Sequence, residues 1–140
     1  MSVEIRRTAP GDEGLFERVA EDVFDYPVDP ATLAEYLATP FHHLVVAIAD
    51  GEVVGQVAAV VHRHPDARPV ELYIDEVAVA PAYRRAGIAR LMLDEAFELG
   101  REFGCAEAWV GTETDNLPAT TLYETRGSEP EPFVMYVFKL

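Results

Sequence analysis

Asp75-Glu76-Val77-Ala78-Val79-Ala80-Pro81-Ala82-Tyr83-Arg84-Arg85-Ala86-Gly87-Ile88-Ala89 is the stretch on which the fold turns. Its front half carries the β-branched Val77 and Val79 of a strand, Pro81 interrupts the strand, and a helical pattern starts at Ile88. A strand, a basic glycine-bearing turn and a helix N-terminus in that order make an anion cradle. The first turn of a helix leaves backbone N–H groups unpaired and carries a partial positive charge. Gly87 lets a ligand approach the backbone closely, and Arg84 and Arg85 bring positive charge to the same place. The inference is a pyrophosphate-binding loop made by Arg84, Arg85, Ala86, Gly87, Ile88 and Ala89. No Gly-Lys-Ser/Thr follows, so it is not the P-loop of nucleotide hydrolases, and the three glycines of the dinucleotide fingerprint are absent.

Working outward, Ile88, Met92, Ala96, Leu99 and Phe103 recur at three or four residues, with Leu91 and Leu93 widening the stripe, which predicts a long helix packed on a sheet and stopped by Gly104. Residues 106–112 read as a short strand containing Trp109. Asn116-Leu117-Pro118 opens a helix through Arg126, stopped by Gly127. Residues 133–138 are an apolar run read as the last strand, after the stiff connection Glu129-Pro130-Glu131-Pro132. On the N-terminal side, residues 3–6 are a strand, and Asp12 caps a helix carrying Leu15, Val19 and Val23. A second helix takes Asp29 as its cap and Pro30 in its first turn, with Leu33, Tyr36 and Leu37 on one face. Residues 43–49 and 52–62 are strands joined by Asp50-Gly51, a dipeptide that favours a tight hairpin. Residues 71–79 are the next strand. Strands and helices that alternate behind a leading hairpin indicate an α/β domain with a mixed sheet.

The order of these segments, the Arg-x-x-Gly-x-Ala turn from Arg84 to Ala89 and the later Asn116 to Tyr123 segment together resemble the GNAT superfamily of acetyl-coenzyme A dependent N-acetyltransferases. The family loop reads Gln or Arg, two residues, Gly, one residue, then Gly or Ala, and this chain matches each specified position. The resemblance covers nearly the whole chain and is strongest from about Leu72 to Gly127. It implies a GNAT-like mixed central sheet in which the parallel strands carrying Val77 and Trp109 splay apart, with helices on both faces. It further implies that acetyl-coenzyme A binds as co-substrate in that gap. The cofactor would pair with the backbone of Val77, Ala78 and Val79 as another strand would, with its pyrophosphate on the amides from Arg85 to Ala89. Asn116 would hydrogen-bond the pantetheine arm and Ala119 would leave room for it.

Composition bounds the partners. At 140 residues the chain reads as a single domain, 1–140, long enough to bury roughly two thirds of its unfolded surface. A net charge of −14 argues against nucleic acid and is compatible with a cationic small molecule or a basic peptide. One lysine, Lys139, stands against ten arginines; a salty cytosol or a GC-rich genome accounts for that pairing as well as a cationic substrate does. No run of 18 apolar residues exists, so no membrane span is expected. The charged start Met-Ser-Val-Glu-Ile-Arg-Arg is unlike a signal peptide and points to the cytoplasm. Cys105 alone permits no internal disulfide and reads as a small packed residue rather than a nucleophile. His62 and His64 stand two apart but no further ligand follows at metal-binding spacing, so no metal is expected. A second copy of the chain, as a homodimer, stays open as a protein partner.

Acetyl transfer to an amine has three requirements: the amine must lose a proton, an oxyanion must be stabilised, and a thiolate must be protonated. A free alkylamine has a pKa of about 10.4, so a carboxylate must draw off its proton directly or through water. Glu71, Asp75 and Glu76 cluster on the strand bordering the acceptor side. Glu76 is the first choice. An acidic residue stands at the matching place in the aminoglycoside 3-N-acetyltransferase branch of the family, which the run Tyr73-Ile74-Asp75-Glu76-Val77-Ala78-Val79 resembles. Asp75 stays in contention, because side chains alternate along a strand and a bulge decides which of the two faces the substrate. By the same resemblance Tyr123 is the general acid near the cofactor sulfur, acting by position more than by driving force. The backbone N–H of Val77 or Val79 is the oxyanion donor, since this strand has no suitable side chain. The reading is an N-acetyltransferase acting on a primary amine, an aminoglycoside or another polyamine. A catalytically silent coenzyme A-binding sensor or partner module, and an acetyltransferase for protein N-termini or lysines, are the alternatives.

Overall fold

In the computed structural model, which describes residues 2–140, strands β1 (Glu4–Arg7), β2 (His42–Ala49), β3 (Glu52–His62), β4 (Glu71–Val79) and β5 (Glu107–Val110) form one five-stranded sheet in the order β1-β2-β3-β4-β5. The first three pairings are antiparallel and β4–β5 is parallel. Asp50 and Gly51 both take positive φ, 50° and 74°, at the β2–β3 hairpin. This is the left-handed geometry that matches the twist of the flanking strands.

Helices cover both faces. On one, α2 (Ile88–Glu102) lays Met92 and Leu93 against the sheet. Two glycines make that contact close. A Cβ on Gly55 would stand 2.9 Å from the Met92 methyl, and one on Gly100 would stand 3.1 Å from Leu72. On the other face, α1 (Pro30–Ala38) turns Leu33 and Tyr36 toward Leu44 and Ala58. Asp29 caps α1, its carboxylate accepting from the Thr32 N–H at 2.9 Å. That cap and Pro30 at the first position fix where the helix begins.

The helix expected after Asp12 is only one turn of 3₁₀ helix, Asp12–Phe16. Asp12 spends its carboxylate on the preceding Ala9 N–H at 2.8 Å and on Arg6 at 3.3 Å. Beyond Glu17 the backbone pairs with β3 instead of itself: Val53 N–H donates to Arg18 and Ala20 N–H to Val53, both at 2.9 Å. Val19 is therefore held against the sheet by its bridge to Val53, Val23 is buried from a run of irregular turns, and their spacing of four belongs to no helix.

The C-terminal run differs too. Residues 133–138 form no strand, and these side chains are 69–82% exposed. The helix read from Asn116 is α3 (Leu117–Thr125), with Asn116 as its cap. No helix among the described residues is long and apolar enough to cross a membrane.

Candidate active site

Two features of β4 create the site. The first is its unpaired edge. The parallel register with β5 runs only from Glu71↔Glu107 to Ile74↔Val110, so β4 continues for five more residues, Asp75 to Val79, with no strand on that edge among the described residues. Ala80 N–H donates to Val54 O at 2.8 Å. By the alternation of an antiparallel ladder, Ala78 and Glu76 also direct their backbone groups to β3, and Val77 and Val79 direct theirs to the free edge. Of the three residues expected to meet a cofactor as a strand would, Val77 and Val79 thus offer backbone to the gap, while Ala78 is turned to β3.

The second feature is a bulge. Ala58 pairs with Glu76 and Ala59 with Ile74, which leaves Asp75 as an extra residue on β4. In a regular strand Asp75 and Glu76 would face opposite ways; across the bulge both line one cavity of about 320 Å³. Phe24, Tyr26, Leu33, Tyr36 and Ala58 supply much of its apolar wall, and Asp29 joins the two carboxylates at it. Glu71 stands elsewhere, 3.1 Å from His64 Nε2 and 3.0 Å from the Trp109 indole nitrogen, and does not line this cavity. Cys105, partly buried, does not line it either, and burial with the Glu71 charge pushes its thiol up, away from the thiolate a nucleophile needs.

The electrostatics set the two acidic residues apart. Burial, together with the charges of Asp25 and Asp75, holds the Glu76 carboxyl above the usual carboxylate range, opposed by the nearby Gln56 amide. Gln56 is itself fully buried; its Nε2 donates to Val23 O at 3.2 Å and its Oε1 has no partner. Asp75 stays exposed and accepts from the Tyr73 hydroxyl at 3.3 Å. Tyr36 donates its hydroxyl to His43 O at 2.7 Å, and burial beside Asp75 pushes its phenol up to about 12, so it stays protonated. Sequence reading places Tyr36 on a helix face with Leu33 and Leu37 and gives no role to Gln56. The signal for the latter was a single polar residue inside the apolar run Val53-Val54-Gly55-Gln56-Val57.

The basic turn follows β4 without a gap. A 3₁₀ turn, Pro81–Tyr83, leads into Arg84. Arg85 and Gly87 both take the left-handed conformation, at φ 64° and 77°. Left-handed residues among right-handed ones turn successive N–H groups toward one point, a concavity suited to an anion. Gly87 caps α2 with no side chain over the helix end, so the N–H groups of Ile88, Ala89 and Arg90 stay open. The position a Cβ would take on Gly87 meets nothing nearer than the Arg90 guanidinium at 3.8 Å. The turn has the space and the donors that a pyrophosphate needs. At the start of α3, Asn116 Oδ1 accepts from the Ala119 N–H at 3.2 Å, which leaves its Nδ2 hydrogens free for another acceptor. Tyr123, on α3, is half-buried against the core, and burial pushes its phenol up.

Known proteins share this fold. The sequence model of the acetyltransferase (GNAT) family matches residues 13–127. The chain is similar to the N-alpha-acetyltransferase RimI of Mycobacterium tuberculosis, 33% identical over 105 residues, which is 75% of this chain and 63% of that protein. It thus spans less than two thirds of that relative's length. Among solved structures, an aminoglycoside acetyltransferase from an uncultured soil metagenomic sample superposes with a TM-score of 0.83 at 25% identity, covering all of both chains. The aminoglycoside N-acetyltransferase AAC(6')-Iy, bound to a bisubstrate analogue of coenzyme A and acetylneamine, shares the fold at a TM-score of 0.78 and 19% identity, covering 100% of this chain and 99% of that one.

Proposed function

Because the chain belongs to the acetyltransferase (GNAT) family, we propose that it transfers an acetyl group from acetyl-coenzyme A to a primary amine held in the acidic cavity. Acetyl-coenzyme A supplies an activated thioester. The remaining work falls to this chain's residues. The turn from Arg84 to Ala89 holds the pyrophosphate on its open amides, and Val77 and Val79 align the pantetheine arm along the free edge of β4. Asn116 donates to that arm from the far side of the gap, where Ala119 leaves room for it.

Glu76 is the base. A carboxyl held above its ordinary range is a stronger proton acceptor than an exposed one, which narrows the gap to an ammonium of pKa about 10.4. Asp75, one residue away at the same cavity, orients the ammonium and pairs with a second positive charge on the acceptor. The N–H of Val77 or Val79 faces the developing oxyanion. Tyr123 returns a proton to the departing thiolate, being kept protonated by its burial.

The observation that carries this reading is the bulge that turns both Asp75 and Glu76 into one cavity beside the unpaired edge. The test is turnover of acetyl-coenzyme A over a panel of aminoglycosides, simple diamines and peptides with free N-termini. Acetylation of polyamines supports the aminoglycoside-type acceptor. The similarity to RimI favours the second reading, a protein N-terminus, whose α-amino pKa of about 7.7–8.0 asks less of the base. Tight coenzyme A binding with no turnover on any acceptor would point to a silent sensor module.

A further inference from the structure

Among the described residues, Gln56 is the one polar residue buried in the core. It interrupts the apolar run Val53-Val54-Gly55-Gln56-Val57 of β3, where an aliphatic side chain would pack with no polar atom to satisfy. Its amide oxygen has no hydrogen-bond partner, and an acceptor buried in that state costs stability. The other end of the amide is engaged, with Nε2 donating to Val23 O at 3.2 Å. The strand register shows what lies beside it. The Cβ position of Gly55 faces Met92 of α2, so Gln56 faces the opposite side of the sheet, together with Ala58, which lines the acidic cavity. Ala58 pairs with Glu76 and Gln56 with Ala78, which makes Gln56 and Glu76 diagonal neighbours on that face, within reach of a long side chain.

We propose that Gln56 is a positioning residue that ties the Glu76 carboxylate to the segment walling the acceptor cavity and so fixes where the base points, an inference that rests on the reading of Glu76 as base. Only the nitrogen end of an amide donates. Val23 O therefore decides which way the group faces and leaves the second Nε2 hydrogen for Glu76. Val23 opens the segment whose Phe24, Tyr26, Val28 and Asp29 line the cavity. One buried amide thus joins base and wall, and neither shifts without breaking a bond inside the core. The same donor answers a chemical need. Burial and the charges of Asp25 and Asp75 hold a proton on Glu76, whereas an N–H donor favours the carboxylate, and Gln56 supplies that opposing influence. Without it the base would stay protonated over more of the pH range in which it must accept a proton from the amine.

The side-chain amide resonances of Gln56, followed by NMR over pH in the wild-type chain, should shift in step with the Glu76 carboxyl and lose that step in Glu76→Gln. Gln56→Met keeps the length and removes the donor. Its acid limb of kcat/KM should move to higher pH, and kcat on the alkaline plateau should fall about tenfold, the size of one lost charge-assisted hydrogen bond, with the KM for acetyl-coenzyme A unchanged. A merely structural role would lower turnover at every pH alike and leave the limb in place. Gln56→Glu, equal in size, puts a second carboxyl beside the first and should move the limb further in the same direction. A Gln56 amide that ignores the Glu76 titration overturns the proposal in the wild-type protein, whether or not the variants fold, and so does a limb that stays put in folded Gln56→Met. Undiminished turnover by Glu76→Gln is a different failure: it removes Glu76 as the base, while the amide titration still decides whether Gln56 holds that carboxyl.

Discussion

Arg84 donates its Nε to the carbonyl of Val79 over 3.0 Å, and this contact ties the basic turn to the unpaired edge of β4. The carbonyl lies where β5 has already ended, so no strand is there to take it. The two halves of the proposed cofactor site, the strand edge and the anion cradle, are thereby linked by one side chain. Arg84 thus has a positioning role in addition to its charge.

Two substitutions test the cradle. Gly87→Val places a β-branched residue at φ 77°, which L side chains rarely adopt, and fills the mouth of the cradle. Its Cβ would meet no protein atom nearer than 3.8 Å, so the cost is backbone strain of about 1–3 kcal/mol and not a clash. Calorimetry should then find coenzyme A binding abolished in a cooperatively unfolding protein. Arg84→Ala should weaken binding by about tenfold, the size of one lost charge-assisted hydrogen bond. Unchanged affinity in folded Gly87→Val would place the pyrophosphate elsewhere.

Tyr123→Phe removes one proton donor and little else, since the ring that packs on the core remains. The chemical rate measured in single turnover should fall by about 10² or more, with coenzyme A affinity almost unchanged. Equal losses in rate and affinity would make Tyr123 a wall of the cofactor site and not its acid.

The sequence made much of this legible because its strongest signals are local. Asp50-Gly51 admits one kind of hairpin, the stripe from Ile88 through Leu99 admits one helix face, and Asp29-Pro30 marks one helix start. The acidic pair was visible as residues but not as geometry. A bulge at Asp75 depends on how β3 pairs with β4, and no pattern within β4 alone reports it. The segment around Val19 differs for a related reason: a spacing of four also arises where non-helical chain touches a sheet at intervals, and the hydrogen bonds that decide come from Val53. Residues 133–138 have the composition of a strand, yet a strand exists only where an edge accepts it.

The raised carboxyl of Glu76 makes a signed prediction for pH. As the base it must be deprotonated, so kcat/KM should fall on the acid side through a limb lying above the ordinary carboxylate range. Asp75→Asn removes one of the negative charges that hold the proton on Glu76, and the limb should move to lower pH. Stability should respond in the opposite sense to an ordinary paired carboxylate. Because the folded state binds this proton more tightly than the unfolded state does, Glu76 costs stability above its folded pKa and costs nothing below its unfolded one. Glu76→Gln should therefore raise Tm at neutral pH and not in acid, while turnover is lost. A limb that stays put in Asp75→Asn would show that the two carboxylates do not sense each other.

The acceptor's charge follows from where the acidic residues stand. Asp29, Asp75 and Glu76 line one cavity, and Asp25 is near enough to act on Glu76, so the negative charge is focused there as well as spread over the surface. Only one amine need lose its proton for acetylation, and every further ammonium on the same molecule is free to pair with a remaining carboxylate. Polycationic amines should accordingly show a higher kcat/KM than matched mono-amines, chiefly through KM. The cavity opens to solvent at Asp75, so added salt should screen the attraction over a Debye length of about 8 Å near physiological ionic strength and shrink the advantage. Asp29 is held below its ordinary range by the Thr32 N–H and hydroxyl, which keeps it charged throughout the working range but occupied as a helix cap. Asp75→Asn should therefore reduce the polyamine advantage more than Asp29→Asn does at equal folding. Equal efficiencies for mono-amines and polyamines, with no salt dependence, would mean that the cavity selects by shape, and the polycation reading of this acceptor would fall.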